Sequence, residues 1–334
     1  MHSSNFRSIM KKVAISLVAM FFMFGQVSAT VFSDVPDEHQ NATAIAILYS
    51  WSIISGYGDG TFRPDNLVNR AEALKIILTS AGVESPEITN QSDIMYSDIT
   101  LADWFAKYVV SASKHGIVGG NPDGSFAPGR EVNKAEYIKM VLEAFGVDVS
   151  AHNNAGSISS DTQGGEWFIP YLSYAKTVGI ISPTLDNKLN PAESINRGES
   201  AEIVYKMIVV LRGGDAQKLI SIAESNLVYV LVHLNNDDIE EALKYADSAT
   251  FYTEKVLAIS PEDTIAQGAD KTARAFKELC LAYQAGLQSQ SAALSQHVKN
   301  AKSFGDAAVA ADSSFSEFRD YIDTAAGALL LSQL

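Results

Sequence analysis

The sequence predicts a mainly α-helical protein, in which three helix–loop–helix repeats precede a C-terminal α-helical bundle. Aligning Asp34, Asp98 and Asp161 gives periods of 64 and 63 residues and a register that holds without a gap. Within each period, helical apolar spacing flanks a loop rich in Gly and Asp. Beyond Gly213 and Gly214 the repeat stops and long helix-forming runs take over. The resulting boundaries are a leader at 1–29, repeats at 30–87, 88–150 and 151–213, and a helical domain at 214–334.

The leader is expected to be a secretory signal. Arg7, Lys11 and Lys12 precede an apolar run at 13–24, and Val27, Ser28 and Ala29 supply the small residues of a cleavage site. That run is short for a membrane span, and no later stretch approaches the roughly 18 apolar residues a span needs. The expected product is exported, with no transmembrane span in the mature chain.

The 334 residues carry a formal charge of −14, and removing the leader, with its three basic and no acidic residues, makes it −17. Such a surface argues against nucleic acid as a partner, because phosphate binding needs an excess of Lys and Arg. The only cysteine is Cys280, so no intramolecular disulfide or cysteine-based metal cage can form.

Each repeat begins with a helix, expected at 44–54, 104–115 and 167–177. The loop that follows is G-Y-G-D-G-T-F-R-P-D at 56–65 and G-G-N-P-D-G-S-F-A-P-G at 119–129, with Gly and Asp where tight turns need them. The alternating acids of an EF-hand are missing, and neither a metal nor a cofactor is expected. The second helix starts at a recurring box: N-R-A-E at 69–72, N-K-A-E at 133–136 and N-R-G-E at 196–199.

In that box Asn69, Asn133 and Asn196 are good N-caps, and Glu72, Glu136 and Glu199 can reach back to the cap's own N–H. Arg70, Lys134 and Arg197 then occupy the first helical position, where a cation opposes the helix dipole by roughly 0.3–1 kcal/mol. Two offsets are open. Each cation pairs with a leading acid (Asp34, Asp98 or Asp161), or it joins free helix N–H groups in holding an anionic ligand. Trp104 and Trp167 share one offset, six residues after the leading Asp, while Gln40 stands there in the first repeat. They are either core residues or a stacking face for a sugar.

In the tail, helices are expected at 216–234, 237–258, 262–302, with a break near Gly286, and 306–331. No G-x-S-x-G, H-E-x-x-H or Walker sequence occurs, and the six histidines are scattered, so no catalytic residue is assigned. A spatial pair of carboxylates remains open.

These residues resemble the surface-layer homology (SLH) domain. The resemblance rests on F-S-D-V-P at 32–36, I-I-S-G-Y-G-D-G-T-F-R-P at 53–64 and N-R-A-E at 69–72, with Y-S-D-I, D-W, G-I-V-G-G-N-P-D-G-S-F-A-P and N-K-A-E in the second repeat. The third keeps E-W, G-I-I-S-P and I-N-R-G-E. It implies a pseudo-threefold, three-pronged unit with a central helix bundle, and grooves between repeats that bind cell-wall polysaccharide, often pyruvylated. Carried over by position, glycan binding falls on Arg70, Lys134 and Arg197, with Asp34, Asp98, Trp104 and Trp167 in support.

Departures predict unequal grooves. Lys134 replaces a planar guanidinium with a point charge. Gln40 replaces tryptophan, and Pro183 stands where the siblings have Gly56 and Gly120. The implied function is non-catalytic anchoring at the cell surface, cell wall or S-layer, with the C-terminal helices as cargo or as a contact for a protein partner. The alternatives are a wall-targeted enzyme with its activity in the tail, and an envelope tether that binds peptidoglycan or a glycan linked to it.

Overall fold

A computed structural model of the chain describes residues 31–213 and 216–331. The expected leader lies outside the described residues. The chain divides between Leu211 and Arg212 into two compact units.

The first unit holds six α-helices, a pair per repeat: α1 (Ala42–Ser50) and α2 (Arg70–Ala81), α3 (Ala106–Lys114) and α4 (Lys134–Ala144), α5 (Ile169–Thr177) and α6 (Arg197–Arg212). The first helix of each pair is trimmed relative to its apolar pattern. Ser52, Gly116 and Gly179 turn left-handed. The N–H groups of Ile53, Ile117 and Ile180 then bond back to the carbonyls of Leu48, Ala112 and Ala175. This six-to-one closure satisfies a terminal carbonyl and sends the chain into the loop. At their other ends α3 and α5 start late, so Trp104 and Trp167 stand two residues ahead of them rather than within them.

Just before each box the three repeats meet. The N–H of Val68 donates to the carbonyl of Ile195 at 3.0 Å, Ile195 to Val132 at 2.9 Å, and Val132 to Val68 at 3.0 Å. The donors and acceptors close a ring, which gives the unit its pseudo-threefold axis. Helices α2 and α4 pack together, and the Tyr137 hydroxyl on α4 donates to the Ser200 carbonyl on α6 at 3.2 Å. The second helices thus form the middle. Each first helix leans on the preceding repeat's second helix: α3 on α2 and α5 on α4. Trp51, at the end of α1, completes the circle against Tyr205 on α6, their ring centroids 6.0 Å apart.

Among the described residues the second unit contains five α-helices: α7 (Ala216–Asn235), α8 (Ile239–Ile259), α9 (Thr264–Leu287), α10 (Ser291–Ala311) and α11 (Ser316–Leu331). Consecutive helices pack on one another, and α9 also touches α7 and α11. The break expected near Gly286 falls just after it, where Ser289 adopts φ 56° and reverses the chain, so the run at 262–302 is divided between α9 and α10. The helix expected from 306 starts instead at Ser316. Asp306 belongs to α10, and the side chain of Asp312 caps a short 3-10 turn by accepting the Ser314 N–H.

Phe276, Leu279 and Cys280 are buried on one face of α9, with Tyr283 half-buried beside them. The same helix buries a charge. The carboxylate of Asp270, 1% exposed, pairs with Arg274 at 2.9 Å and Lys271 at 3.1 Å. Burial pushes the Cys280 thiol far above its ordinary range.

Candidate functional site

The three leading acids hold their own loops. Asp34 accepts the N–H groups of Phe62 and Arg63, both at 2.7 Å. Asp98 accepts those of Phe126 at 2.8 Å and Ala127 at 2.7 Å. Asp161 does the same for Leu189 at 3.0 Å and Asn190 at 2.7 Å. The clamp fixes Arg63, Ala127 and Asn190 in the left-handed region, at φ 59°, 57° and 51°, a conformation that costs a residue with a Cβ. Burial, the largest influence on Asp34, raises its pKa, but the bonds from Phe62 and Arg63 outweigh it and hold the carboxyl below its ordinary range. Asp161 behaves likewise through Leu189, Ser159 and Asn190.

The salt bridge from each box cation to a leading acid is therefore not formed, since those carboxylates are turned to backbone. Nor are the helix N–H groups free for an anion. Arg70 and Ala71 donate theirs to the carbonyls of Arg130 and Pro128, Lys134 and Ala135 to Glu193 and Pro191, and Arg197 and Gly198 to Asn66 and Pro64. The third N–H of each helix goes to the cap: Glu72 to Asn69 at 2.9 Å, Glu136 to Asn133 at 2.9 Å, and Glu199 to Asn196 at 2.8 Å. The three glutamates return the bond to the cap N–H.

The side chains of the cations diverge. Arg70 donates from Nε to the Phe126 carbonyl and from Nη2 to the Gly119 carbonyl, each at 3.1 Å. Arg197 bonds Phe62 at 2.9 Å and Ser55 at 3.2 Å in the same way. Both guanidinium groups lie 4.4 Å above a phenylalanine ring, Phe126 and Phe62 respectively. A guanidinium has five N–H donors, so each keeps donors beyond these two bonds. Lys134 has no planar fork, and its ammonium sits 3.8 Å from Glu199.

Three repeats build one groove. A cavity of about 210 Å³ is lined by Arg70 from the first repeat, by Gly119, Glu136, Lys139 and Met140 from the second, and by Trp167 from the third. Trp167 is 54% and Trp104 is 53% exposed, so both are surface faces and not core. The ammonium of Lys139 lies 5.9 Å from the Trp167 ring centre, and that of Lys75 lies 5.7 Å from Trp104. One repeat earlier the same positions are Arg197, Ser55, Glu72, Lys75 and Trp104. The pairing of Lys75 and Lys139 with the tryptophans was not legible, since either lysine alone looks like a solvated helix face. Their shared offset, six residues after the box Asn, was the available signal.

The loop glycines mark a close approach. A Cβ at Gly120 would lie 2.3 Å from the Tyr96 ring and 2.9 Å from the Ser125 carbonyl oxygen, and one at Gly56 would lie 2.2 Å from Phe32. In the third repeat the aromatic is Ser159, and Pro183 replaces the glycine. The two departures compensate. Among the described residues, no group of three or more His, Cys, Asp and Glu is placed to hold a metal ion, and no helix is long and apolar enough to cross a membrane.

Residues 31–74, 96–138 and 160–201 each match the S-layer homology domain. These three segments are tandem S-layer homology repeats, followed by a helical region outside the match. Similar proteins include a surface layer protein of Brevibacillus choshinensis, 37% identical over 31% of this chain and 9% of that protein. A cellulosome-anchoring protein of Acetivibrio thermocellus is 27% identical over 46% of this chain and 35% of that protein. An S-layer protein of Bacillus thuringiensis subsp. finitimus is 22% identical over 59% and 24%. The chain thus spans at most 35% of the length of these three relatives.

Proposed function

We propose that this chain is an exported, non-catalytic protein that anchors to the bacterial cell wall by binding an acidic, pyruvylated wall polysaccharide in its inter-repeat grooves. The observation that carries this reading is the cavity where Arg70 and the exposed Trp167 face the same space. An indole face offers a stacking platform for a sugar ring, and the guanidinium offers charge-assisted donors to a carboxylate. Similarity to surface-layer and cellulosome-anchoring proteins supports the cell surface as its place of work. The C-terminal helices are the part carried by the anchor, as cargo or as the contact for a protein partner.

Within this reading Asp34 and Asp98 act indirectly, by holding the loops whose carbonyls orient Arg197 and Arg70. Lys134 contributes less than either arginine. Anchoring weakens at high salt, where surface charges are screened.

The test is co-sedimentation of the protein with purified wall sacculi, with and without their secondary polymer. Wild type should sediment only with polymer-bearing sacculi, and Trp104→Ala with Trp167→Ala should remain in solution. Equal sedimentation with stripped sacculi would sink the polymer assignment. A triple alanine variant at Arg70, Lys134 and Arg197 adds a second arm, to be read beside its melting curve.

A further inference from the structure

We infer that Lys75 and Lys139 are the residues that select a carboxylated sugar, and that the third groove excludes the same sugar because Glu202 stands in their place. This rests on the glycan-binding reading proposed above and narrows it to the residues that select the acid and the number of sites.

Arg70 and Arg197 each commit two of their donors to backbone carbonyls, so they share the selection of an anion with a second cation. Lys75 and Lys139 differ from them. Each is half-buried on the groove-facing side of α2 or α4, and each holds its ammonium over the exposed indole of the following repeat. Among the described residues no carboxylate lies within ion-pair distance of either. Glu136, the acid that lines the cavity with Lys139, is itself held by Arg130 at 2.8 Å. A half-buried cation with only aromatic rings beside it, Trp104 for Lys75 and both Trp167 and Tyr171 for Lys139, gains from a ligand carboxylate what the protein does not supply. A sugar stacked on Trp167 would present a ring substituent between Lys139 and the remaining Arg70 donors, and the cavity has room for one such unit.

The third groove has the same backbone and the opposite charge pattern. Six residues after Asn196 comes Glu202, whose carboxylate pairs with Lys206 at 3.4 Å. Gln40 replaces the tryptophan, and Lys134 turns to Glu199. An incoming carboxylate would meet an acid where the other two grooves offer an ammonium, and like charges in that position repel. The chain therefore takes two acidic sugar units. Two linked sites on one polymer raise the overall avidity above that of either groove.

Isothermal titration of the full chain with a pyruvylated N-acetylhexosamine, and with the same sugar lacking pyruvate, tests this. Wild type should bind two equivalents of the acidic sugar and show at least about tenfold weaker binding of the neutral one. Lys75→Gln and Lys139→Gln should each leave one equivalent, the double variant none, and Glu202→Gln should admit a third, weaker equivalent, whereas a count that stays at two would overturn the exclusion by Glu202. Three equivalents in wild type would overturn the exclusion by Glu202. Unchanged titrations of the lysine variants, or equal binding of the neutral sugar, would overturn the lysine assignment while leaving glycan binding intact. No binding by wild type, with no retention on polymer-bearing sacculi, would remove the glycan reading itself. Both lysines sit on solvent-reached helix faces, so the variants should melt as wild type does.

Discussion

Arg70 of the first repeat donates from Nε to the carbonyl of Phe126 in the second, at 3.1 Å. The third repeat repeats the relationship on the first through Arg197 and Phe62. A residue whose charge is unfavourable for its own helix thus ties one repeat to the next loop. Its structural and binding roles share one side chain.

Removing that tie should show in stability. Arg70→Ala deletes two bonds from a charged donor and is expected to cost roughly 1.5–3 kcal/mol. Lys134→Ala removes only a long contact to Glu199 and should cost less than about 1 kcal/mol. All three tryptophans lie in the repeats, so urea unfolding followed by indole fluorescence reads that unit directly.

Acid should loosen the same unit. Asp34 and Asp161 have folded pKa values below the ordinary 3.8, so the folded state binds protons more weakly than the unfolded one. Their contribution is complete above pH 3.8 and is lost as pH falls through the depressed values. A melting series from neutral pH to pH 2 should fall at its acid end. Asp34→Asn and Asp161→Asn should flatten that fall, and an unchanged slope would contradict the clamp.

Gly120 and Tyr96 should behave as a coupled pair. Gly120→Ala drives a Cβ into the Tyr96 ring, an overpacking expected to cost about 1–3 kcal/mol. In a Tyr96→Ser background, which imitates Ser159 beside Pro183, the same change should cost less. A double-mutant cycle by urea unfolding measures the difference, and strict additivity would show that the ring is not the obstacle.

Much of this was legible in the sequence, for identifiable reasons. Asn69 and Glu72 advertise a helix start because capping is local chemistry, and Asp34 stood out through its repeat. Its target was hidden, because an acid 28 residues from the Phe62 N–H gives no sign of which group it reaches. The tryptophans could be placed in register but not on the surface, since their exposure depends on helices that begin two residues later. The apolar pattern did not mark the turn after Ala311, so the helix expected from 306 starts at Ser316, and Asp306 lies inside α10 and pairs with Arg319 of α11 at 3.1 Å.

In the C-terminal unit Asp270 and Arg274 should be unequal when truncated. Asp270→Ala leaves two cations that can reach solvent, and Arg274 keeps Glu254 at 2.7 Å, so a loss of about 1–3 kcal/mol is expected. Arg274→Ala strands a carboxylate that is 1% exposed, with Lys271 and Thr253 as its remaining partners, and should cost about 3–5 kcal/mol. Thermal melts followed by far-ultraviolet circular dichroism separate the two, with the indole transition unmoved.

The closed circle of Val68, Val132 and Ile195 has a consequence for how such a unit can arise or be divided. In a lone repeat that strand would have an unmet donor and an unmet acceptor, and two repeats would still leave one of each. The smallest self-sufficient piece is therefore the whole trio. A shorter gene product could complete the circle only by recruiting further copies of itself.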